Sequence, residues 1–203
     1  MPPSPVTVVG AGIAGTACAR ALAGAGVPVR VLDRGRRPGG RMASRTLSQR
    51  TVDLGASYLT AHEGSPFAAV VDDWVARGLA RPWTDTFAVA GPDGLRSTTT
   101  GPVRYAAPAG LRSLVADLAT GLDVGSGRTV AAVGPGPRVD GEDVPAVVLA
   151  MPDPQARRLL DADTAGRLLD DRPWEPSLAV VLGCPSAAGR PTCTARSSTA
   201  TRR

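Results

Sequence analysis

Gly10, Gly12 and Gly15 form a G-x-G-x-x-G turn, with Ile13 and Ala14 inside it, directly after the apolar run Val6-Thr7-Val8-Val9. Each glycine has a physical reason. Gly10 permits a tight turn, Gly12 lets a backbone approach a pyrophosphate, and Gly15 lets a helix pack close to a strand. A helix opening here aims its free N–H groups and positive dipole end at phosphate oxygens. A second apolar run, Val27 to Leu32, ends in Asp33, 18 residues after Gly15, where a ribose-binding carboxylate belongs. A second glycine signal stands just beyond, Arg36-Arg37-Pro38-Gly39-Gly40-Arg41-Met42. Arginine offers forked, charge-assisted donors that suit two phosphates. This pattern implies dinucleotide binding. The bland alternative is a glycine turn that binds nothing, followed by a solvated arginine-rich loop.

Two strands and one helix must position these groups. Residues 5–9 are continuous and β-branched, as a buried parallel strand is. Thr16 to Ala25 is rich in small residues and good helix formers, and Gly24 and Gly26 bracket the helix exit. The result is a βαβ grip.

Composition narrows the classes further. A chain of 203 residues suits one domain, or one with a small appended lobe. With 43% hydrophobic residues and no apolar run of membrane-spanning length, a soluble protein is expected. Met1-Pro2-Pro3 leads straight into the first strand without a basic leader or a cleavage site, so a cytoplasmic location is expected. The net charge of +5 invites a nucleic-acid partner. However, the chain has no Lys, no Asn and a single Ile, which together indicate avoidance of A/T-rich codons. No aromatic-and-basic module accompanies the charge, so nucleic acid and membrane are both set aside as partners. Cys18, Cys184 and Cys193 form no C-x-x-C pair and His62 is the only histidine, so no metal site is expected.

The run Asp33-Arg34-Gly35-Arg36-Arg37-Pro38-Gly39-Gly40-Arg41-Met42-Ala43-Ser44 resembles the second FAD signature of the flavin amine-oxidase superfamily, closest to its renalase-like branch. That resemblance implies an α/β fold: a parallel-sheet, Rossmann-like FAD-binding domain with an inserted, incomplete α+β substrate lobe. It implies that Gly39 and Gly40 let the chain pass near the FAD pyrophosphate while Arg34, Arg36 and Arg41 neutralise it, with Met42 closing the signature. Val52 to Ala61 resembles the family segment near the flavin ring, which would place Gly55, Ala56 and Tyr58 on the flavin side. His62 stands where the renalase-like pattern has Arg, so no catalytic role carries over, and the catalytic residue stays unknown.

Further along, Ser65 and Pro66 open a helix over 65–79, with Phe67, Val70, Val71, Trp74 and Val75 at helical spacing. Residues 82–100 read as strands around a Gly91-Pro92-Asp93-Gly94 turn. Trp74, Trp83 and Phe87 read as core, with facing substrate as the alternative. A helix over 110–120, a strand-like 128–133, a hairpin near 138–142 and a buried strand over 145–152 follow. By resemblance, Val130 meets the adenine through its backbone, and Ala150 and Pro152 close over the FAD. Short helices over 153–161 and 163–171 precede a strand near 177–182.

From about Cys184 apolar periodicity ends. The segment reads as a disordered polar tail or as a shifted reading frame, since Pro191 to Thr199 read two bases later yields a string like the family's own continuation. The expected organisation is therefore an FAD-binding domain over 1–62 and 104–161, a lobe insertion over 63–103, the start of a second lobe segment over 162–183 and an irregular tail over 184–203. The implied activity is a two-electron oxidation of an amine or a reduced nicotinamide nucleotide by flavin, reoxidised by O2 or another acceptor. The alternatives are a truncated, inactive dinucleotide-binding remnant and an NAD(P)-dependent dehydrogenase.

Overall fold

The computed structural model describes residues 3–92, 94–170, 172–175, 177–181 and 196–197. In chain order the elements are β1 (Val6–Val9), α1 (Ile13–Gly24), β2 (Val29–Asp33), a 3-10 turn (Gly40–Met42), β3 (Ser44–Leu47), β4 (Arg50–Asp53), α2 (Pro66–Ala76), β5 (Arg81–Gly91), β6 (Gly94–Ala106), α3 (Arg112–Ala119), β7 (Asp123–Ser126), β8 (Val133–Gly134), β9 (Arg138–Val139), β10 (Glu142–Asp143), β11 (Val147–Leu149), α4 (Asp153–Ala156), α5 (Ala162–Leu168) and β12 (Arg196–Ser197). They form two units. The first comprises Met1–Ala56 and Ala109–Ala179, the second Ser57–Pro108 and Val180–Arg203. Residues 162–179 group with the first unit, not with a second lobe segment. The reason is local: Leu159 and Leu160 pack on the first unit's core and α5 follows at once.

The first unit is α/β. Its parallel sheet runs β11-β1-β2-β7. Strand periodicity explains its two faces. Val8, Val31 and Val148 point to one side, where they join Ala19 of α1. Val9, Leu32, Val147 and Leu149 point to the other and pack under Val130, Val133, Val139 and Val144 of the small β8–β9–β10 meander. With apolar residues on both faces, β1 reads as the continuous run seen in its sequence. Helix α3 buries Leu111, Leu114 and Val115 and lies against α1, where the Arg20 guanidinium donates to the carbonyls of Leu118 and Thr120.

A hairpin of β3 and β4 turns through Ser48 and Gln49, both left-handed at φ 46° and 65°. Its end anchors α3. Asp53 Oδ1 accepts from the Ser44 hydroxyl at 2.6 Å and from the Leu111 N–H at 2.8 Å, and Ser44 Oγ accepts from the Arg112 N–H at 3.1 Å. Helix α5 is capped by Asp161, whose carboxyl is held below the usual carboxylate range by the Thr164 N–H and then by its hydroxyl.

The second unit is a long β5–β6 hairpin with α2. Ser65 Oγ caps α2 by accepting from Ala68 N–H, and Pro66 follows at the first helical position. Trp74 is fully buried and meets Phe67 edge-on at 6.1 Å. Tyr58, Trp83 and Phe87 form a second aromatic group, and the Arg104 guanidinium lies 3.8 Å from the Phe87 centroid.

Several expected elements differ. Helix α1 starts at Ile13, three residues before Thr16, because Gly12 already serves as its N-cap. Residues 128–132 form no strand: the Ala131 and Ala132 N–H groups both donate to Asp140 Oδ1, so a carboxylate takes the place of a neighbouring strand. The strand near 177–182 is absent over 177–181, where Leu178 and Val180 are 93% and 78% exposed and no strand among the described residues pairs with them. Leu182, Asp93 of the Gly91–Gly94 turn and the tail from Cys184, with its shifted-frame reading, lie outside the described residues, apart from Arg196 and Ser197, which pair with β5. Among the described residues no helix is long and apolar enough to cross a membrane.

The Asp53 anchor is directly testable. Asp53→Ala removes the acceptor of a hydroxyl and a helix-terminal N–H, so urea unfolding should show a loss of about 1–3 kcal/mol. A loss below about 0.5 kcal/mol, the range of an indifferent surface change, would mean that the hairpin does not hold α3.

Candidate functional site

The G-x-G-x-x-G turn leaves the C-terminal end of β1, at the edge of the parallel sheet where α/β folds bind ligands. Gly10 has φ +111°, and its N–H donates to Leu32 O at 2.8 Å. A Cβ on Gly15 would stand 1.9 Å from Gly10 O and 2.8 Å from Ala150 Cβ. These two glycines are required by the fold itself. Gly12 is different. Its φ is −78°, and an added Cβ would meet only Gly40 Cα, at 3.8 Å. No side chain caps α1, so no side-chain acceptor meets the N–H groups of its first turn, and those of Ala14 and Gly15 can serve another acceptor.

Asp33 closes the turn. Its Oδ2 accepts from Ala11 N–H and its Oδ1 from Gly35 N–H, both at 2.6 Å. The carboxylate thus clasps the first turn to the one after β2. A carboxylate offers about four acceptor sites, so this clasp leaves room for a ribose hydroxyl.

The second signature docks on the first. Gly12 and Gly39 form a parallel bridge, and Gly39 N–H donates to Ala11 O at 2.9 Å. Gly40 has φ +53°, and a Cβ there would stand 3.0 Å from Gly12 Cα. The glycine pair therefore serves a crossing of two backbones, a role that the motif alone does not reveal. Met42 is buried beneath it. Gly55 and Ala56 sit behind Arg41: the Ala56 N–H donates to Arg41 O at 2.9 Å, and a Cβ on Gly55 would fall 2.2 Å from the same oxygen.

Cations gather here. Among the described residues the side chains of Arg34, Arg36, Arg37 and Arg41 make no ion pair or hydrogen bond, unlike Arg30, which meets Glu142 at 2.8 Å, or Arg138, which meets Asp143 at 2.7 Å. Arg112, which motif reading passed over, lies against Gly39, with its Nε 3.3 Å from where a Cβ would stand. That Nε is buried and has no partner. The available signal was its place: a cation in the first turn of a helix opposes the dipole.

The remaining expected residues divide by unit. Val130 is buried beneath the meander, and its backbone makes no hydrogen bond among the described residues. Ala150 packs on the glycine turn and donates to Val9 O at 2.9 Å, so its small size serves the close approach of α1. Pro152 caps α4 and, with Arg34, Gln155, Arg158 and Trp174, lines a cavity of about 370 Å³. Tyr58 belongs to the second unit, in its aromatic group. His62 is exposed. Among the described residues no three metal-ligating side chains come together.

Residues 8–74 match a family model described as an NAD(P)-binding Rossmann-like domain. The fold is that of a Rossmann-like dinucleotide-binding domain. Polyamine oxidase 1 of Oryza sativa subsp. japonica is 41% identical over 76 residues, which cover 36% of this chain and 15% of that protein. Putrescine oxidase of Kocuria rosea is 34% identical over 110 residues, 54% of this chain and 22% of that protein. The matched stretch thus spans less than a quarter of either relative's length. A solved putrescine oxidase bound to putrescine superposes with a TM-score of 0.57 at 15% identity, covering 78% of this chain and 60% of that one. At that identity the superposition speaks to fold alone. Both relatives are named as oxidases, one of polyamines and one of putrescine.

The glycine geometry separates scaffold from ligand positions. Gly15→Ala should lower unfolding stability by about 1–3 kcal/mol, as overpacking does. Gly12→Ala should change it by less than about 1 kcal/mol while weakening ADP binding, measured by calorimetry. Equal losses of stability in the two variants would contradict this division.

Proposed function

We propose that the chain binds FAD at the Gly10–Gly15 turn and acts as a flavin-dependent oxidoreductase of the amine-oxidase kind, on the renalase-like branch. The observation that carries this reading is the second glycine–arginine signature docked on the first turn, its arginine side chains without a partner among the described residues. A nicotinamide-only domain needs no such crossing. The residues fit the group. Gly10, Gly15 and Ala150 pack on one another and hold α1 close to β1, while Gly12 leaves its side of the turn open, with only Gly40 Cα near an added carbon, at 3.8 Å. The Ala14 and Gly15 N–H groups at the start of α1, with Ile13 beside them, would hold a pyrophosphate. Asp33 accepts from a ribose hydroxyl with its spare lone pairs. Arg34, Arg36 and Arg41 neutralise phosphate charge, with Gly39, Gly40 and Met42 setting the height of the loop. Val130 offers its unbonded backbone to the adenine, and Pro152 borders the same end of the sheet. In the first unit, Gly55 and Ala56 are the residues proposed for the flavin end.

Bound FAD supplies a two-electron acceptor for hydride from a substrate carbon, restored by O2 or another acceptor. The chain's own task is to orient the substrate and exclude water. The substrate class is an amine or a reduced nicotinamide nucleotide, and the amine is favoured by the names of the two relatives. A cytoplasmic setting, with no nucleic-acid or membrane partner, completes the proposal.

Purified full-length protein should be yellow, carry FAD equimolar with chain, and bleach anaerobically with putrescine or with a reduced nicotinamide nucleotide. Colourless protein that takes up NAD(P) and not FAD would replace this reading with a dehydrogenase. Stoichiometric FAD that no reductant bleaches would leave a dinucleotide-binding remnant. Two substitutions probe the grip itself. Arg41→Ala should weaken FAD binding while leaving unfolding unchanged. Asp33→Ala should weaken binding and also cost about 1–3 kcal/mol of stability, because two backbone N–H groups lose their acceptor. Unaltered FAD affinity in both would remove the assigned grip.

A further inference from the structure

We propose that Arg112 is an additional residue of the dinucleotide site, its guanidinium meeting the anionic diphosphate of the ligand. The inference rests on the dinucleotide reading above and adds to it a residue outside both glycine signatures.

Arg112 opens α3, the helix that leads into β7, and β7 lies beside β2 in the parallel sheet. The start of α3 therefore stands at the C-terminal edge of the sheet, as does the glycine turn after β1. Its backbone is fixed there, because Ser44 Oγ accepts the Arg112 N–H and Asp53 accepts the Leu111 N–H. From that anchor the side chain runs over Gly39: a Cβ on Gly39 would lie 3.4 Å from Arg112 Cγ and 3.3 Å from its Nε. Gly39 is the residue bridged to Gly12. The guanidinium is thus carried to the crossing of the two turns.

Its electrostatic situation is unfavourable without an anion. Nε is buried with no acceptor, and the side chain makes no ion pair among the described residues. The first turn of α3 carries no acidic residue, and a cation there opposes the helix dipole. Neither Asp33, which accepts from the Ala11 and Gly35 N–H groups, nor Asp53, whose Oδ1 accepts from Ser44 and Leu111, pairs with the guanidinium. A desolvated donor left unpaired costs stability. A diphosphate at the neighbouring helix terminus would supply both the missing acceptor and the missing charge.

A packing role for the aliphatic stem is the competing explanation, and the two differ in what they predict. Calorimetric affinities for ADP and for adenosine, with thermal unfolding of the ligand-free protein, should be measured for the parent, Arg112→Met, Arg112→Gln and Arg112→Lys. Arg112→Met keeps a stem over Gly39 without charge, and Arg112→Gln keeps a donor. Both should weaken ADP roughly ten-fold, the worth of one charge-assisted contact, with adenosine affinity and ligand-free melting temperature not lowered. Arg112→Lys should keep most of the ADP preference. An ADP-to-adenosine ratio equal to the parent's in Met and Gln variants would overturn the proposal. So would parallel loss of both ligands with a fall in melting temperature, which is the signature of packing. If either uncharged variant fails to fold, the other decides by the same ratio. A parent that binds neither ADP nor FAD would overturn the dinucleotide reading itself, whereas a parent that binds ADP while the ratio is unmoved would overturn only the role of Arg112.

Discussion

Two backbones cross at Gly12 and Gly39–Gly40 with no side chain between them, and much of the first unit depends on that crossing. The hydrogen bond from Gly39 N–H to Ala11 O joins the turn after β1 to the loop after β2. Asp33 ties the same two segments by a second route, through Ala11 and Gly35. Once β3 and β4 have returned the chain, Gly55 packs on Arg41 O, where an added Cβ would fall 2.2 Å from that oxygen. A β-carbon at Gly15, Gly40 or Gly55 would push on backbone, which cannot swing aside as a flexible side chain can. Gly12 is less constrained on its own account. Its open side faces the region where the N–H groups of α1 point, so the crossing is rigid on one side and accessible on the other.

This explains which parts of the molecule were legible in the sequence. Strand β1, helix α1, strand β2 and the acid at its end follow from local patterning, since apolar continuity, small residues and a glycine turn each have one economical solution. The α/β class follows from those, while an inserted lobe was implied only by the resemblance to the flavin amine-oxidase superfamily. The β3–β4 hairpin was hidden because Ser48 and Gln49 adopt left-handed turn conformations without the Asn-Gly or Asp-Gly pair that normally announces them. The 177–182 segment reads as a strand by composition, but a strand exists only beside a neighbour, and none is present for 177–181. Asp140 illustrates the converse: a single carboxylate bonds two successive N–H groups and so substitutes for the strand expected over 128–132.

The candidate site divides in the same way. Glycines and Asp33 stand out because spacing alone marks them. Arg112 and the Asp53 anchor depend on elements far apart in sequence that meet only after folding, so no window along the chain contains them. The arginine surplus had a compositional explanation in codon usage, and that explanation remains sufficient for the number of cations. Arg20, Arg30 and Arg138 bond carbonyls or carboxylates of the fold. Arg34, Arg36, Arg37, Arg41 and Arg112 have no side-chain partner among the described residues, and neither have Arg45, Arg50, Arg81, Arg128 and Arg158, so the docked glycine turns and the buried Arg112 Nε, rather than unpaired charge alone, mark the site.

Binding and chemistry are therefore borne by different parts of the chain. The first unit holds every feature argued from dinucleotide geometry: uncapped N–H groups, an acid with spare lone pairs, and unpaired cations at the ends of parallel strands. None of these selects a reaction, because a Rossmann-like grip serves many chemistries. Selection falls to groups that shape the space for a substrate, and the second unit contributes an aromatic set with a cation already over it. Arg104 lies 3.8 Å from the Phe87 centroid and 5.7 Å from that of Tyr58, and such a face attracts cations. With Arg104 seated there, a second cation meets like-charge repulsion where an unoccupied aromatic face would attract it.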